Sequence, residues 1–261
     1  MPNLLEPFLW LPTLAAVVAR VTGLMLAGPI LGSRIMPRQL KVALTLAMSL
    51  LLLPLVGTNA LPQVTLAQVV VGSVGELLIG VGIGLTFTAM ASGVELAASL
   101  MGQQAGLSLA QVYDPTINDE TTALGQLYSA VYVLCFLSIG GDRAMVRALL
   151  ETFREVPLMR AAITLDCATM LSGVLNAAFT MGIRLAAPVM VSLLLVTLLL
   201  GILSRTMPQF NVLTIGFNFK VVVLLGVCAL SLGSCGELVT SAIAASLEFA
   251  REFVVGLTDT G

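Results

Sequence analysis

Apolar residues fill this chain in long blocks separated by short polar punctuation, and blocks of this length predict membrane-class helices. The first runs from about Phe8 to Ile30 and ends at Pro29, Gly32 and the basic cluster Arg34, Arg38 and Lys41. The second, Val42 to Gly57 with Pro54 near its end, falls a little short of the roughly 20 residues that cross a 30 Å hydrocarbon core. The third, Val69 to Met101, would be roughly 50 Å long as one straight helix and overshoots a bilayer. Gly80, Gly82 and Gly84 lie at its middle, so a broken helix or a hairpin is expected there. A polar segment, Gly102 to Thr122, precedes a fourth apolar stretch from Ala123 to Gly141. After a charged loop, Asp142 to Asp166, comes an apolar block to Ser204, interrupted by Arg184 and Pro188, and then a last helix from Val212 to about Gly236. The tail, residues 237–261, carries Glu237, Glu248, Arg251 and Glu252 and reads as a short amphipathic helix. The expected fold is all-α, a polytopic bundle of apolar helices and helical hairpins forming one membrane-associated domain over residues 1–261.

Charge placement complicates a simple serpentine topology. The basic loop after the first segment argues for the cytoplasmic side there, with the N-terminus outside. Alternation then puts the acidic loop with Asp114, Asp119 and Glu120 inside, and the loop with Arg143, Arg147, Arg154 and Arg160 outside, against the positive-inside rule. Either the third segment folds back around its glycines, which removes the conflict, or these helices do not sit in lipid as ordinary spans.

Composition narrows the function classes. Of 261 residues, 58% are apolar and 10% charged, against about 25% charged in a soluble domain, so water cannot be the only solvent. There is no histidine, which removes Ser-His-Asp and Cys-His catalysis, histidine metal sites and the zinc helix together. A formal charge of −2 and 5% aromatic residues give neither the electrostatic footprint nor the stacking surface of a nucleic-acid binder. Cys135, Cys167, Cys228 and Cys235 lie in or beside apolar stretches without a CxxC and read as small core residues. The start, Met1 to Glu6, lacks the positive region of a cleaved signal, so the first apolar segment is expected to be retained. No cofactor is called for.

Six polar residues, Arg20, Glu76, Glu95, Asn176, Arg184 and Lys220, fall within apolar segments. A central Arg, Lys or Asp costs about 2.5–3.5 kcal/mol on an insertion scale, so such groups face protein or water. Buried pairing, polar contacts between subunits, a solute or proton path, and a conduit shared with partners all remain open. A second unusual stretch runs from Leu100 to Pro115. Gly102 and Gly106 permit non-helical backbone and Pro115 holds Asp114 extended, with Leu107, Leu109 and Val112 between them. An apolar-tipped loop beside a water-filled path can close it by packing and dewetting, and an ordinary connection fits the same residues.

Three stretches in order carry a family resemblance: Gly102-Gln103-Gln104 to Asp114-Pro115 followed by Leu124-Gly125; Met207-Pro208-Gln209-Phe210-Asn211-Val212 with Gly216 and Lys220; and Gly28-Pro29 to Pro37-Arg38. With them the chain resembles the FliR family, export-gate components of the flagellar type III secretion apparatus related to the T-type components of injectisomes. The look of the Gly102 to Pro115 loop favours the flagellar branch. The resemblance implies a subunit of a helical, multi-subunit export gate in the bacterial inner membrane at the flagellar basal body. Its implied partners are FliP-like and FliQ-like subunits around a protein-conducting channel, FlhB-like and FlhA-like export proteins, unfolded flagellar proteins as cargo, and membrane lipid. It further implies a pore plug within residues 102–122. There Leu107, Leu109, Ala110 and Val112 would pack, Ser108, Tyr113 and Asp114 would lie among them, and Gly106 and Pro115 would act as hinges. It gives Pro208, Gln209 and Asn211 a structural turn, and makes Lys220 a subunit contact or buried-pair residue.

Two other classes match parts of the sequence. Tyr113-Asp114 and Gly140-Gly141-Asp142 approach the two motifs of intramembrane aspartyl proteases, but Ile139 stands where the second motif needs its first glycine, so no enzyme is expected. A secondary transporter of a small solute using Glu76, Arg184 and Lys220 is the alternative reading; it predicts internal repeats, and no convincing repeat is found.

Overall fold

Long apolar runs satisfy their own backbone N–H and C=O groups by coiling, and this chain does so along most of its length. A computed structural model describes residues 6–33, 36–56, 65–107, 123–159, 165–207 and 212–258, and every regular element among them is an α-helix. The helices are α1 (Glu6–Ala27), α2 (Arg38–Val56), α3 (Leu66–Ala105), α4 (Ala123–Ile139), α5 (Gly141–Glu155), α6 (Leu165–Thr206) and α7 (Val212–Thr258). Two stretches, Ala67–Ala105 and Thr169–Thr206, are each long and apolar enough to cross a membrane. Counting the bent pairs α4 with α5 and the two arms of α7 as one span each raises the number among the described residues to four. The expected all-α polytopic class is therefore the observed one.

Three elements differ from the sequence reading. The run Val69 to Met101 neither breaks nor folds back: α3 is one helix of 40 residues through Gly80, Gly82 and Gly84. Its glycines serve packing. A Cβ on Gly80 would overlap the carbonyl oxygen of Arg20, and one on Gly84 would lie 2.7 Å from the Cβ of Ala27, so α1 rests directly on the α3 backbone. The charged loop after Gly141 begins instead with a helix. In α5, Met145, Ala148, Leu149 and Thr152 are buried at helical spacing while Arg143, Arg147 and Arg154 are exposed, and charge density had masked that period. Gly140, at φ 81°, makes the left-handed turn between α4 and α5. Finally, the tail is no separate element. Helix α7 continues through Gly236, bending by 63° between Gly216–Ser231 and Gly236–Phe253. Beyond the bend, over the residues whose burial is described, it buries Val239, Ala242, Ile243, Ser246 and Ala250 and exposes Glu237, Glu248, Arg251 and Glu252.

The chain forms two compact units, each assembled from separate stretches. Unit 1 comprises Met1–Ala89, Gly140–Leu175 and Ile243–Gly261. Its centre is α1, where Ala16, Val17, Arg20, Val21 and Leu24 are wholly buried. Helix α2 in this unit turns its hydroxyls inward: Thr45 and Ser49 are buried and donate to the carbonyls of Lys41 and Thr45, while Val42, Leu46, Leu50 and Leu51 are exposed. That is the inverse of a water-facing helix. Unit 2 comprises Met90–Ile139 and Asn176–Ala242. In it α3 and α6 touch backbone to backbone, since a Cβ on Gly182 would come 2.5 Å from the carbonyl oxygen of Gly93. Its core includes Tyr128, whose hydroxyl lies 3.5 Å from that of Ser231, and the tilted ring pair Tyr132 and Phe136, 5.9 Å between centroids.

Candidate functional site

Helix α1 carries Arg20 on its most buried face, and α3 brings Glu76 against it. The guanidinium Nε donates to Glu76 Oε2 at 2.5 Å, and neither side chain has any exposed surface. The rest of the guanidinium is also occupied. Nη1 donates to Thr152 Oγ1 at 3.2 Å, Nη2 to the carbonyl of Val156 at 3.5 Å, and the guanidinium carbon sits 4.4 Å from the centroid of the Phe153 ring. Glu76 uses its second oxygen, Oε1, to accept the backbone N–H of Met159 at 2.7 Å. Met159 has a positive φ of 61°, uncommon for a side chain of its size, and packs on Gly72, where a Cβ would stand 2.7 Å from Met159 Cγ. One ion pair thus ties together α1, α3, α5 and the segment that follows α5. Among the described residues no buried side-chain polar atom lacks a partner. A pair saturated in this way stabilises structure and offers no open coordination to a solute.

The other four polar residues are placed differently. Glu95 on α3 and Asn176 and Arg184 on α6 are exposed, and Lys220 on α7 is half-buried; none forms an ion pair among the described residues. All four lie in unit 2, whereas Arg20 and Glu76 lie in unit 1. Sequence marked six equivalent candidates, and the structure brings two together, leaves three exposed and one half-buried. It also adds three residues that the sequence reading missed, Thr152, Phe153 and Met159. For Thr152 and Phe153 the available signal was the helical period of α5; for Met159 there was none.

Of the plug candidates, Gly106 and Leu107 are described. Gly106 stands at φ 87° just past the end of α3; its N–H donates to the carbonyl of Gln103 and that of Leu107 to the carbonyl of Gly102, both at 3.0 Å. This paired pattern stops the helix and needs a residue at positive φ, which is why glycine stands there. Ser108, Leu109, Ala110, Val112, Tyr113, Asp114 and Pro115 lie outside the described residues, as do Pro208, Gln209 and Asn211.

Apolar helices longer than a bilayer needs, one saturated internal ion pair and outward-facing charges on apolar segments define a polytopic all-α protein of the membrane class. Residues 11–246 match the family described as bacterial export proteins, family 1, and the chain belongs to that family. It is 28% identical over 214 residues to the flagellar biosynthetic protein FliR of Escherichia coli strain K12, covering 82% of each chain. It is 27% identical over 223 residues to that of Pectobacterium carotovorum, covering 85% of this chain and 83% of the other. With that of Caulobacter vibrioides it shares 28% over 219 residues, covering 84% and 87%.

Proposed function

We propose that this chain is a subunit of the flagellar type III protein export gate in the bacterial inner membrane at the flagellar basal body. In this reading it forms the protein-conducting channel with FliP-like and FliQ-like subunits, alongside FlhB-like and FlhA-like export proteins, and unfolded flagellar proteins pass through it. The observation that carries the reading is the family match across residues 11–246, with relatives bearing the FliR name aligned over more than four-fifths of each chain. Exposed Glu95, Asn176 and Arg184 and half-buried Lys220, which form no ion pair among the described residues, are in keeping with it, because such groups on apolar helices call for polar surroundings rather than lipid. The role is structural and conductive rather than catalytic.

Affinity purification of the tagged chain from flagellated cells tests this directly. FliP-like and FliQ-like subunits are expected in the eluate, and expression without them is expected to lower the amount of chain by about tenfold through degradation. A monomer that is stable in detergent and drives solute uptake in liposomes would overturn the reading in favour of a transporter.

The loop from Gly106 to Pro115 is proposed as the plug of the closed channel, with Leu107, Leu109, Ala110 and Val112 packing in the pore. Burying a side chain of the size of Leu or Val is worth roughly 1.5–3 kcal/mol, so a few together can hold a narrow channel shut while leaving opening accessible. Deleting Leu107 to Val112 is expected to leave the complex assembled but leaky to ions or small molecules, measured as cell sensitivity to small toxic solutes. A tight membrane with normal export in the deletion strain would remove the plug assignment.

A further inference from the structure

Met159 is the one non-glycine residue at positive φ among the described residues, and nothing in its own side chain favours that conformation. What holds it there is external. Glu76 Oε1 accepts its N–H at 2.7 Å, and its side chain lies on Gly72, where an added Cβ would overlap it. At the other end of the same turn Arg20 Nη2 reaches the carbonyl of Val156 at 3.5 Å, the longest of the three hydrogen bonds the guanidinium makes. Residues 156–159 thus form a strained turn gripped at both ends by one ion pair, and Pro157 between the grips is exposed. The grips separate from the pair itself. Nε and Nη2 lie on one edge of the guanidinium, the edge that binds a carboxylate through two parallel hydrogen bonds. In the observed state only Nε bonds to Glu76, through Oε2, because Oε1 is given to Met159 and Nη2 to Val156. A departing turn would leave behind Oε1 and Nη2, an acceptor and a donor that complete the fork, so the buried pair orphans neither atom. Relief of a left-handed backbone and loss of a hydrogen bond to a charged group are of the same order and opposite sign. Two states of the turn are therefore close in free energy.

We infer that the turn at residues 156–159 is a two-state latch. Closed, it is held by Glu76 with Met159 left-handed; open, Met159 relaxes and Arg20 and Glu76 form a bidentate pair. The connection from α5 to α6 then changes its path while α1 and α3 stay bridged by the same two charges. The use of the latch, opening as a protein passes, rests on the reading of the chain as a gate subunit; the existence of two states does not.

Hydrogen exchange on the complex purified with this chain tests for the two states. Met159→Gly keeps the N–H and removes the left-handed penalty, so the amide at position 159 is expected to exchange about five- to thirtyfold more slowly, after correction for its intrinsic rate. An unchanged or faster rate would overturn the latch. A Gly72→Cys, Met159→Cys pair, in a chain whose Cys135, Cys167, Cys228 and Cys235 are replaced by alanine, tests its use. A Cβ on Gly72 stands 3.1 Å from the Met159 Cβ, within a few tenths of an ångström of disulfide spacing. Oxidised, this variant is expected to keep its partner subunits and stop secreting flagellar proteins, to recover on reduction, and to differ in both from either single variant. Normal secretion by the oxidised, assembled complex would show the turn to be fixed and overturn the proposal. If the double variant does not assemble even when reduced, the exchange rates of the wild type and Met159→Gly decide. If the chain co-purifies with no export subunit, the gate reading fails, and the same exchange rates still separate a latch from a fixed turn.

Discussion

Glu76→Ala is expected to remove most of the chain from the membrane fraction. The substitution leaves the Arg20 guanidinium without any exposed surface and without its counter-charge, and frees the Met159 N–H that Glu76 Oε1 accepts. Breaking a buried ion pair from one side costs about 3–5 kcal/mol, a large share of a typical stability of about 5–15 kcal/mol. Glu76→Gln keeps an acceptor for Met159 but still strands the charge, so its level is expected to lie between the two. The double change Arg20→Met with Glu76→Met removes both charges, and an apolar pair of similar volume is often neutral or stabilising. It is therefore expected to recover much of the lost protein, read by immunoblot of membranes from cells carrying the other gate subunits. If the double variant is as depleted as Glu76→Ala, the pair matters for something other than mutual neutralisation.

The length of the helices bears on the topology that charge counting left open. With α3 unbroken, a re-entrant hairpin at Gly80 to Gly84 no longer reconciles the basic segments with the positive-inside rule. Helix α3 has 40 residues and α6 has 42, each roughly 60 Å long against a hydrocarbon core of about 30 Å. Even a tilt of about 40° leaves some 46 Å along the membrane normal, so part of each helix lies outside the hydrocarbon. There it meets water or protein. Exposed Arg184 near the middle of α6 carries the same message for a part of the helix that length alone would leave in lipid. Under the proposed function, that surrounding protein is the rest of the export gate.

How far the sequence could be read depended on the kind of signal. The existence and helical type of the apolar segments were legible because composition alone dictates them, and α4 begins at Ala123 and ends within two residues of the sequence estimate. The fate of the glycines in α3 was not legible. A glycine permits both a break and a close approach, and only the position of α1 decides between them. Helix α5 was hidden by a different cause, since six charges in 15 residues suggested a loop while Met145, Ala148, Leu149 and Thr152 kept a helical period beneath them. For the polar residues, position within an apolar run identified all six, but pairing is a long-range property. Arg20 and Glu76 are 56 residues apart, and nothing in either local sequence distinguishes them from Glu95 or Arg184.

Gly80→Ala is expected to destabilise the protein sharply, although the same change in an open helical position is favourable. Gly80 and Gly23 face each other's backbones where α1 and α3 meet: a Cβ on Gly80 overlaps the Arg20 carbonyl oxygen, and one on Gly23 overlaps the Leu77 carbonyl oxygen and stands 2.7 Å from the Val81 nitrogen. Backbone cannot rotate away as a long side chain can, so the added methyl has to push the two helices apart. Separation stretches the 2.5 Å contact between Arg20 and Glu76 and the hydrogen bond that Thr88 Oγ1 donates to the Ala27 carbonyl. Overpacking costs about 1–3 kcal/mol, and loss of geometry in a buried ion pair adds to it. Against this, alanine gains up to about 1 kcal/mol over glycine in helix propensity. The steric term wins at Gly80. At Gly201 of α6, where nothing lies within 4 Å of an added Cβ, only the propensity term acts, and Gly201→Ala is expected to hold or raise stability. Leucine at position 80 is expected to be worse than alanine. Thermal unfolding of the purified complex, followed by loss of this chain from the assembly, compares the variants on one scale. Equal midpoints for Gly80→Ala and Gly201→Ala would mean that α1 does not rest on the α3 backbone, and that the glycines of α3 have another role.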